Sequence, residues 1–237
     1  MKKIFNPKDI QAVILAGGKG TRLWPLTSEL PKPMILIHSR PFLRHQLSML
    51  ESFGITDFLF LVGYLGEKIE KYFSDGSQFG LKVDYSYEKE LLGTGGALRK
   101  AADKLNKKFM VLNGDTLFPI NYRGMIKYFC SHRKIGGVAV GKSGLENIPK
   151  NITVGKGCLV TAYDKRRSEG MTHVDGGVAI FQKEVLDFIP VNEVCSLEEE
   201  IYPRLIEKEE LWAYCSSKPF YDIGTFEGLK KVKEYLK

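Results

Sequence analysis

The chain has 237 residues, of which 35 are Lys or Arg and 28 are Asp or Glu, so its formal net charge is +7 at pH 7. A chain of this length can bury about 70 to 75% of the surface that it exposes when extended, which allows one large α/β domain or two small ones. The positive charge favours phosphorylated ligands. The longest Lys/Arg run, residues 165–167, is short and lacks interleaved aromatic residues, which argues against nucleic-acid binding.

Export, membrane insertion and disulfide cross-linking are not expected. The first ten residues contain lysines but no apolar segment, and the longest aliphatic-aromatic run, Phe58–Val62, is too short to span a bilayer. The four cysteines are widely separated and form no Cys-x-x-Cys pair, and none of the four histidines has a metal-ligand spacing. We therefore expect a cytoplasmic protein with reduced thiols.

The first predicted element is a buried strand over Val13–Ala16, followed by a glycine-rich loop. The loop contains three glycines and is accompanied by three cations: Gly17, Gly18 and Gly20, with Lys19, Arg22 and Lys32. Without side chains in the way, the backbone N–H groups of such a loop can bind phosphate oxygens. The loop follows neither the Walker pattern nor the dinucleotide-binding fingerprint, and a simple chain reversal is the alternative interpretation.

Helices and strands are predicted to alternate over the next hundred residues. In chain order these are a helix over Pro41–Phe53, a strand over Asp57–Val62, a helix over Leu65–Phe73, a strand over Leu81–Glu88, a helix over Ala97–Leu105 and a strand over Lys108–Leu112. This alternation indicates right-handed βαβ crossovers in a mostly parallel sheet.

The second half is predicted to contain more sheet. After a helix over Asn121–His132, short glycine-punctuated strands follow at residues 136–142, 151–158, 159–165 and Val174–Phe181. Ser196 and Glu199 fit a capping box that opens a helix to about Lys208. A strand over Leu211–Ser216 and a last helix capped by Thr225 complete the chain. With no linker or low-complexity tract, we expect residues 1–237 to form one domain with a mixed central sheet.

Polar motifs follow several of the predicted strands. Because ligands of open α/β sheets bind outside the carboxyl ends of the strands, the glycine-rich loop should meet Asn113-Gly114-Asp115 and the segment Tyr221–Gly224. Mg²⁺ takes one or two carboxylates together with phosphate oxygens of a substrate, so Asp115 and Asp222 are candidate metal ligands. Each aspartate alone could instead support a turn.

The motifs as a set resemble the signature of the sugar-phosphate nucleotidyltransferases, which make nucleotide sugars. The matching strings are LAGGKGTRL at 15–23, PLT at 25–27, PKPM at 31–34, NGD at 113–115 and DIGT at 222–225. The resemblance covers nearly the whole chain. It implies a glycosyltransferase-A-like nucleotidyltransferase fold, which is a Rossmann-like α/β fold with a mostly parallel (mixed) central sheet and helices on both faces. It also implies Mg²⁺ on Asp115 and Asp222, with a nucleoside triphosphate and a sugar 1-phosphate as the binding partners.

Within that family the chain most resembles the short bacterial D-glycero-α-D-manno-heptose 1-phosphate guanylyltransferases. Its compact length, the motif over Glu88–Gly96, SLEEE at 196–200 and FYDIGTFEG at 220–228 carry this resemblance. A uridylyltransferase or a mannose-1-phosphate guanylyltransferase is the alternative enzyme, and a catalytically silent nucleotide-sugar sensor is the alternative of another class. The oligomeric state stays open, a homodimer included.

The resemblance implies the following nucleotide-binding residues: Leu15, Ala16, Gly17, Gly18, Gly20, Thr21, Arg22, Glu88, Gly93 and Thr94. Charge suggests the catalytic roles, since a negative sugar phosphate must approach a negative α-phosphate. We expect Arg22 to bind the triphosphate and the departing pyrophosphate, Lys32 to bind the α-phosphate, and Asp115 to hold the metal. The carboxylate of Glu88 can only accept hydrogen bonds, which suits the two donors of guanine; a uracil N3–H could also be met, and a solvated strand end is the alternative.

The residues expected to bind the sugar phosphate are Asn113, Gly114, Lys165, Asp175, Gly176, Gly177 and Glu198. Members of the family often have Glu-Lys-Pro at 164–166 and Asn-Ala-Gly at 175–177, and this chain departs from both patterns. Gly176 and Gly177 could instead form a β-bulge, and Glu198 could simply favour a helix N-terminus. Residues 1–120 are thus expected to bind mainly the nucleotide, and residues 121–237 mainly the sugar phosphate.

Overall fold

The computed structural model of the chain describes residues 10–142 and 148–237. The prediction that the first ten residues carry no export signal concerns mainly residues 1–9, which lie outside the described residues. The helices are α1 Phe42–Ser52, α2 Gly66–Phe73, α3 Gly93–Lys100, α4 Tyr122–His132, α5 Tyr202–Glu207 and α6 Phe226–Tyr235. The strands are β1 Gln11–Ala16, β2 Leu36–Ile37, β3 Arg40–Pro41, β4 Asp57–Val62, β5 Lys82–Tyr87, β6 Lys108–Asn113, β7 Thr116–Leu117, β8 Gly136–Lys142, β9 Ile152–Val154, β10 Val160–Tyr163, β11 His173–Gln182, β12 Leu211–Ser216 and β13 Tyr221–Asp222.

The main sheet is mixed, as predicted. Its row of strands runs β5-β4-β1-β6-β11, and β8 and β12 extend the row beyond β11. The pairs among β5, β4, β1 and β6 are parallel, as is the pair of β8 and β12, whereas β11 runs antiparallel to both β6 and β8. All strands of the row except β11 therefore point the same way, and their carboxyl ends lie at one edge of the sheet.

Helices cover both faces of this sheet, which confirms the predicted layering. Successive residues of β1 face opposite sides: Ala12 and Ile14 pack with α1, α2 and α4, while Val13 packs with α3 and α5. The strand is buried on both sides because a parallel strand inside a layered α/β fold has no solvent face. No helix within residues 10–142 and 148–237 has the length and apolarity needed to cross a lipid bilayer.

The helix predicted over Ala97–Leu105 is present, but it begins and ends earlier than expected. It begins four residues earlier, at Gly93, and ends at Lys100, before a 3₁₀ turn over Ala102–Lys104. The carbonyl of Cys195 accepts hydrogen bonds from the N–H groups of Gly95 (2.8 Å) and Gly96 (3.2 Å). These bonds satisfy backbone N–H groups of the first helical turn that have no acceptor within the helix. Gly93 must be glycine, because a Cβ there would lie 2.5 Å from the same carbonyl oxygen.

The helix predicted from Ser196 is divided. A π-helical turn over Leu197–Ile201 precedes α5. The hydroxyl of Ser196 accepts from the N–H of Glu199 (3.1 Å), as in the predicted capping box. The N–H of Ser196, however, donates to Oε1 of Glu200 (2.8 Å) and not to the side chain of Glu199. The wider π turn explains the one-residue change of partner, since it adds a residue to the first turn.

A small second sheet lies at the edge where the parallel strands of the main sheet end. The two-residue strands β7 and β13 pair antiparallel, with Asp222 opposite Thr116. Behind this pair lies a separate apolar cluster that includes Leu117, Ile223 and the buried face of α6. Residues more than a hundred positions apart in the chain are thereby fixed side by side.

Candidate active site

The glycine-rich loop lies at the carboxyl end of β1, where the sequence predicts it. The fully buried Thr27 holds its far side by donating from Oγ1 to the carbonyl of Gly20 at 2.9 Å. Gly20 has a φ of 63°, and a Cβ there would lie 3.1 Å from Cβ of Lys32. The loop therefore passes close over Lys32, which is only 7% exposed.

All ten residues predicted to bind the nucleotide line one cavity of about 470 Å³. Lys32, Asp115 and Gly224 also line it. Its volume falls within the range of small-molecule sites. The first cavity thus combines the glycine-rich loop with two cationic side chains, Arg22 and Lys32.

A second cavity of about 700 Å³ adjoins the first. It is lined by Asp175, Gly176 and Gly177, by Asp222, and by the start of α6. Arg22 and Asn113 line both cavities, so they form the shared wall. The arrangement offers two binding spaces that meet at one charged centre.

The charged centre contains two carboxylates and two cations. Nζ of Lys32 forms an ion pair with Oδ2 of Asp115. Asp222 reaches the same place because β13 pairs with β7, a pairing that the N–H of Ile223 extends by donating to the carbonyl of Asp115 at 3.0 Å. Burial, and then the negative charge of Asp115, raise the pKa of Asp222, while the charges of Lys32 and Arg22 oppose this shift.

Gly224 lies at the focus of these groups. A Cβ on this residue would lie 2.5 Å from Oδ1 of Asp222 and 3.0 Å from both Nη2 of Arg22 and Nζ of Lys32. The N–H of Gly224 also donates to Oδ1 of Asp222. Only a residue without a side chain fits among three charged groups at this spacing.

The two carboxylates fit a hard divalent cation. Burial is the main cause of the raised pKa of Asp222, and the repulsion between the two carboxylates, which adds to it, is one that Mg²⁺ would relieve. Among the residues that the structure describes, no group of three or more His, Cys, Asp or Glu could hold a metal by itself. A cation bound by Asp115 and Asp222 would therefore need further oxygen ligands, such as those of a bound phosphate.

Glu88 follows β5 and turns its carboxylate toward the loops of the first cavity. Oε2 accepts from the N–H of Leu92 at 2.8 Å, and Oε1 would lie 2.8 Å from a Cβ on Gly17. Burial raises the pKa of Glu88, against the opposing effects of the Leu92 N–H and the charge of Lys100. The carboxylate is thus a partly buried acceptor in the wall of the first cavity.

Thr94 and Glu198 form a hydrogen-bonded link in the wall of the first cavity. The Thr94 hydroxyl donates to Oε2 of Glu198 at 2.7 Å and accepts from the N–H of Leu197 at 2.8 Å. Ser196 donates to the same Oε2 at 3.0 Å. Since the only proton of the Thr94 hydroxyl is used, this group can act only as an acceptor toward a nucleotide.

Asp175 lies at an irregularity of β11. The pairing of β11 with β8 shifts register between Asp175 and Ala179, the segment for which a β-bulge is the alternative interpretation of the sequence. Oδ1 of Asp175 accepts from the N–H of Gly177 at 2.9 Å. Burial and the charge of Glu198 raise its pKa to about 6, although the Gly177 N–H and the charge of Lys165 lower it.

The residues predicted to bind the sugar phosphate do not all lie together. Asp175, Gly176 and Gly177 line the second cavity, and Asn113 lines both. Gly114 and Glu198 line only the first cavity. Lys165 lines neither, and its ammonium lies 3.8 Å from the carboxylate of Glu198 with the side chain partly exposed. The structure therefore places Lys165 outside the two cavities.

Two residues next to the site were absent from the sequence prediction. Thr27 holds the glycine-rich loop, as described above, and Gln46 contacts the turn that carries Asp115. Gln46 shares the predicted apolar face of α1 with Leu43, Leu47 and Leu50. A polar residue on an apolar helix face is a signal that could have identified it.

The comparisons with known proteins identify the family. Residues 11–237 match the family described as nucleotidyl transferase. The chain belongs to this family. It is 32% identical over 229 residues to the D-glycero-α-D-manno-heptose 1-phosphate guanylyltransferase of Aneurinibacillus thermoaerophilus, covering 96% of this chain and 98% of that protein.

Two further similarities agree with the family and its fold. The chain is 33% identical to the mannose-1-phosphate guanylyltransferase catalytic subunit beta of Drosophila melanogaster, with 90% of this chain covered but only 59% of that longer protein. It also resembles the crystal structure of HddC from Yersinia pseudotuberculosis complexed with GMP-PN, with a TM-score of 0.81, 28% identity, and coverage of 96% of this chain and 100% of that one. The nucleotidyltransferase fold is thus confirmed.

Proposed function

We propose that this protein transfers a nucleoside monophosphate from a nucleoside triphosphate to a sugar 1-phosphate and releases pyrophosphate. The observation that carries the proposal is the pair of adjoining cavities that meet at Arg22, Asn113 and the charged centre. Such a reaction needs two bound substrates whose phosphates come together. A binding protein for a single nucleotide sugar would not need two carboxylates and two cations at the junction.

The charges of the site suit this reaction. A sugar 1-phosphate is close to dianionic near neutral pH, so it needs no protein base to become a nucleophile. Its obstacle is the negative α-phosphate, and Lys32 and Arg22 lie where they can offset that repulsion. Mg²⁺ held by Asp115 and Asp222 would supply further positive charge to the phosphate oxygens. Arg22, on the shared wall, can contact phosphates in both cavities.

We assign GTP as the nucleotide and a heptose 1-phosphate as the acceptor. Guanine offers two donors on its Watson–Crick edge, and both Glu88 and the Thr94 hydroxyl present acceptors to the first cavity. The similarity along nearly the full length of a D-glycero-α-D-manno-heptose 1-phosphate guanylyltransferase supports the choice of sugar. A uridylyltransferase is the second candidate, because a carboxylate at Glu88 could also accept from the N3–H of uracil.

We further propose that the two halves of the chain act as one domain. The first cavity is built mainly from residues before 120, and the second mainly from residues after 121. Each half also contributes to the other cavity, however: Glu198 and Gly224 line the first, and Arg22, Asn113 and Thr116 line the second. Neither half would therefore hold its substrate alone.

Pyrophosphate release tests the proposal. The purified protein is mixed with Mg²⁺, one sugar 1-phosphate and GTP, UTP, CTP or dTTP in turn, and the initial rates are compared. GTP with the heptose 1-phosphate should react fastest, whereas a strict preference for CTP would contradict the role of Glu88. No release with any pair would favour a silent nucleotide-sugar sensor.

Asp115→Asn tests the metal assignment. The substitution keeps the size of the side chain and removes one of the two negative charges, so we expect pyrophosphate release to become undetectable. Activity within about tenfold of the wild type would contradict the assignment of Asp115 to the metal, because loss of a charged ligand should cost more than this.

A further inference from the structure

Gln46 is a fully buried polar residue with no place in the chemistry proposed above. It lies in α1 with none of its surface exposed, and the surrounding residues of the helix face are apolar. A buried amide is unfavourable unless hydrogen bonds replace its contacts with water. Its hydrogen-bond partners therefore indicate what it does.

The amide nitrogen of Gln46 holds both ends of the turn that carries Asp115. Nε2 donates to the carbonyl of Asn113 at 2.9 Å and to the carbonyl of Thr116 at 2.6 Å. These two carbonyls flank Gly114 and Asp115 in the sequence. One side chain of α1 thus joins the end of β6 to the start of β7.

The other two residues of the turn are held by different elements. The N–H of Gly114 donates to the carbonyl of Leu15 in β1 at 2.9 Å, and the N–H of Ile223, which follows β13, donates to the carbonyl of Asp115 at 3.0 Å. Gln46 adds hydrogen bonds from α1, a helix on one face of the sheet. Together these bonds fix the backbone of the turn from three sides.

The chemistry of the partners explains why the residue is glutamine. Two carbonyl acceptors require two protons from one nitrogen, so Oε1 must face away from the turn, and it has no hydrogen-bond partner. A glutamate would place a carboxylate oxygen against the carbonyls. A lysine would add a second cation close to Asp115, beside Lys32. An uncharged amide of this length supplies the two donors without altering the charge of the site.

We propose that Gln46 is a positioning residue, which sets the location of the Asp115 carboxylate relative to Asp222 and Lys32 without contacting substrate. This inference rests on the proposed function only for the effect that it predicts on kcat. A misplacement of about 1 Å can reduce the rate of an enzyme by about 100-fold. Gln46→Met, which retains the size but lacks both donors, should therefore lower kcat by about 10- to 100-fold and leave the KM for GTP within about twofold.

Gln11 provides a matched control. It is 4% exposed, and its amide also bonds two backbone groups, the carbonyl of Lys104 at 3.1 Å and the N–H of Asn106 at 3.0 Å. It begins β1, at the opposite end of the sheet from the site. Gln11→Met should lower the melting temperature as Gln46→Met does, but should leave kcat unchanged. Equal kcat values for the two variants would overturn the proposal.

Hydrogen exchange in the ligand-free protein gives a readout that does not depend on turnover. The peptide that contains residues 113–116 should exchange at least about tenfold faster in Gln46→Met than in the wild type or in Gln11→Met. Unchanged exchange would refute the positioning role even if activity fell. If the wild type releases no pyrophosphate, the proposed function fails while the exchange experiment still decides the role of Gln46. Should Gln46→Met not fold, Gln46→Leu, which also lacks both donors and carries no charge, takes its place in both measurements.

Discussion

Gly224→Ala should disrupt the charged centre while leaving the fold intact. The φ of Gly224 is not in the left-handed region, so the backbone itself accepts alanine. The added Cβ would lie 2.5 Å from Oδ1 of Asp222, and ordinary contact begins at 3.4 Å, so the carboxylate must move by about 0.9 Å. Arg22 and Lys32, at 3.0 Å from the Cβ, would move by smaller distances.

A displacement of this size should reduce kcat by about 100-fold. The assay is the initial rate of pyrophosphate release with saturating GTP, sugar 1-phosphate and Mg²⁺, together with the melting temperature of the variant. Gly170→Ala is the control, because a Cβ there meets nothing within 4 Å and the residue is not part of the site. That variant should lose some stability, since φ at Gly170 is 76°, but should keep its kcat. A kcat for Gly224→Ala within about threefold of the wild type would refute the reasoning.

Two predictions concern stability. Because the pKa of Asp175 is raised to about 6 from 3.8, the folded protein retains a proton that the unfolded chain releases between these pH values, so wild-type stability falls as the pH rises through this window. Asp175→Asn should therefore be more stable than the wild type above pH 6, by about 1 to 3 kcal/mol in urea unfolding. This difference in the free energy of unfolding should shrink as the pH falls toward 3.8. A difference that stays constant with pH would contradict the raised pKa of Asp175. Thr94→Val leaves the N–H of Leu197 without its acceptor and removes a donor from Glu198, so it should cost about 1 to 3 kcal/mol. The control Thr161→Val, which removes an exposed hydroxyl, should change the free energy of unfolding by less than about 0.5 kcal/mol, and equal losses in the two variants would count against the link.

The sequence was sufficient to predict the layered fold and the position of Asp115 at the same edge of the sheet as the glycine-rich loop. Alternating apolar segments determine which strands are buried on both faces, and the carboxyl ends of parallel strands necessarily share an edge. The glycine-rich loop was recognisable because its glycines and cations lie within a few residues of each other. Local patterns of this kind survive in a single sequence.

The parts that could not be predicted depend on contacts between distant segments. The early start of α3 at Gly93 requires the carbonyl of Cys195, which lies a hundred residues away. Pairing of β7 with β13 involves two residues on each side, too few to show any periodicity. Lys165 lines neither cavity, and its ammonium lies 3.8 Å from Glu198, a partner 33 residues further along the chain. None of these partners can be read from neighbouring residues.

The pairing of β7 with β13 has a consequence for the stability of the charged centre. Two residues on each strand, extended by the bond from Ile223 to Asp115, keep the second carboxylate in place. The buried strands of the main sheet should open only on global unfolding, whereas so short a ladder can separate at a much smaller free energy. Denaturant at low concentration should therefore abolish turnover before the sheet melts, and bound substrates that bridge the two cavities should delay this loss.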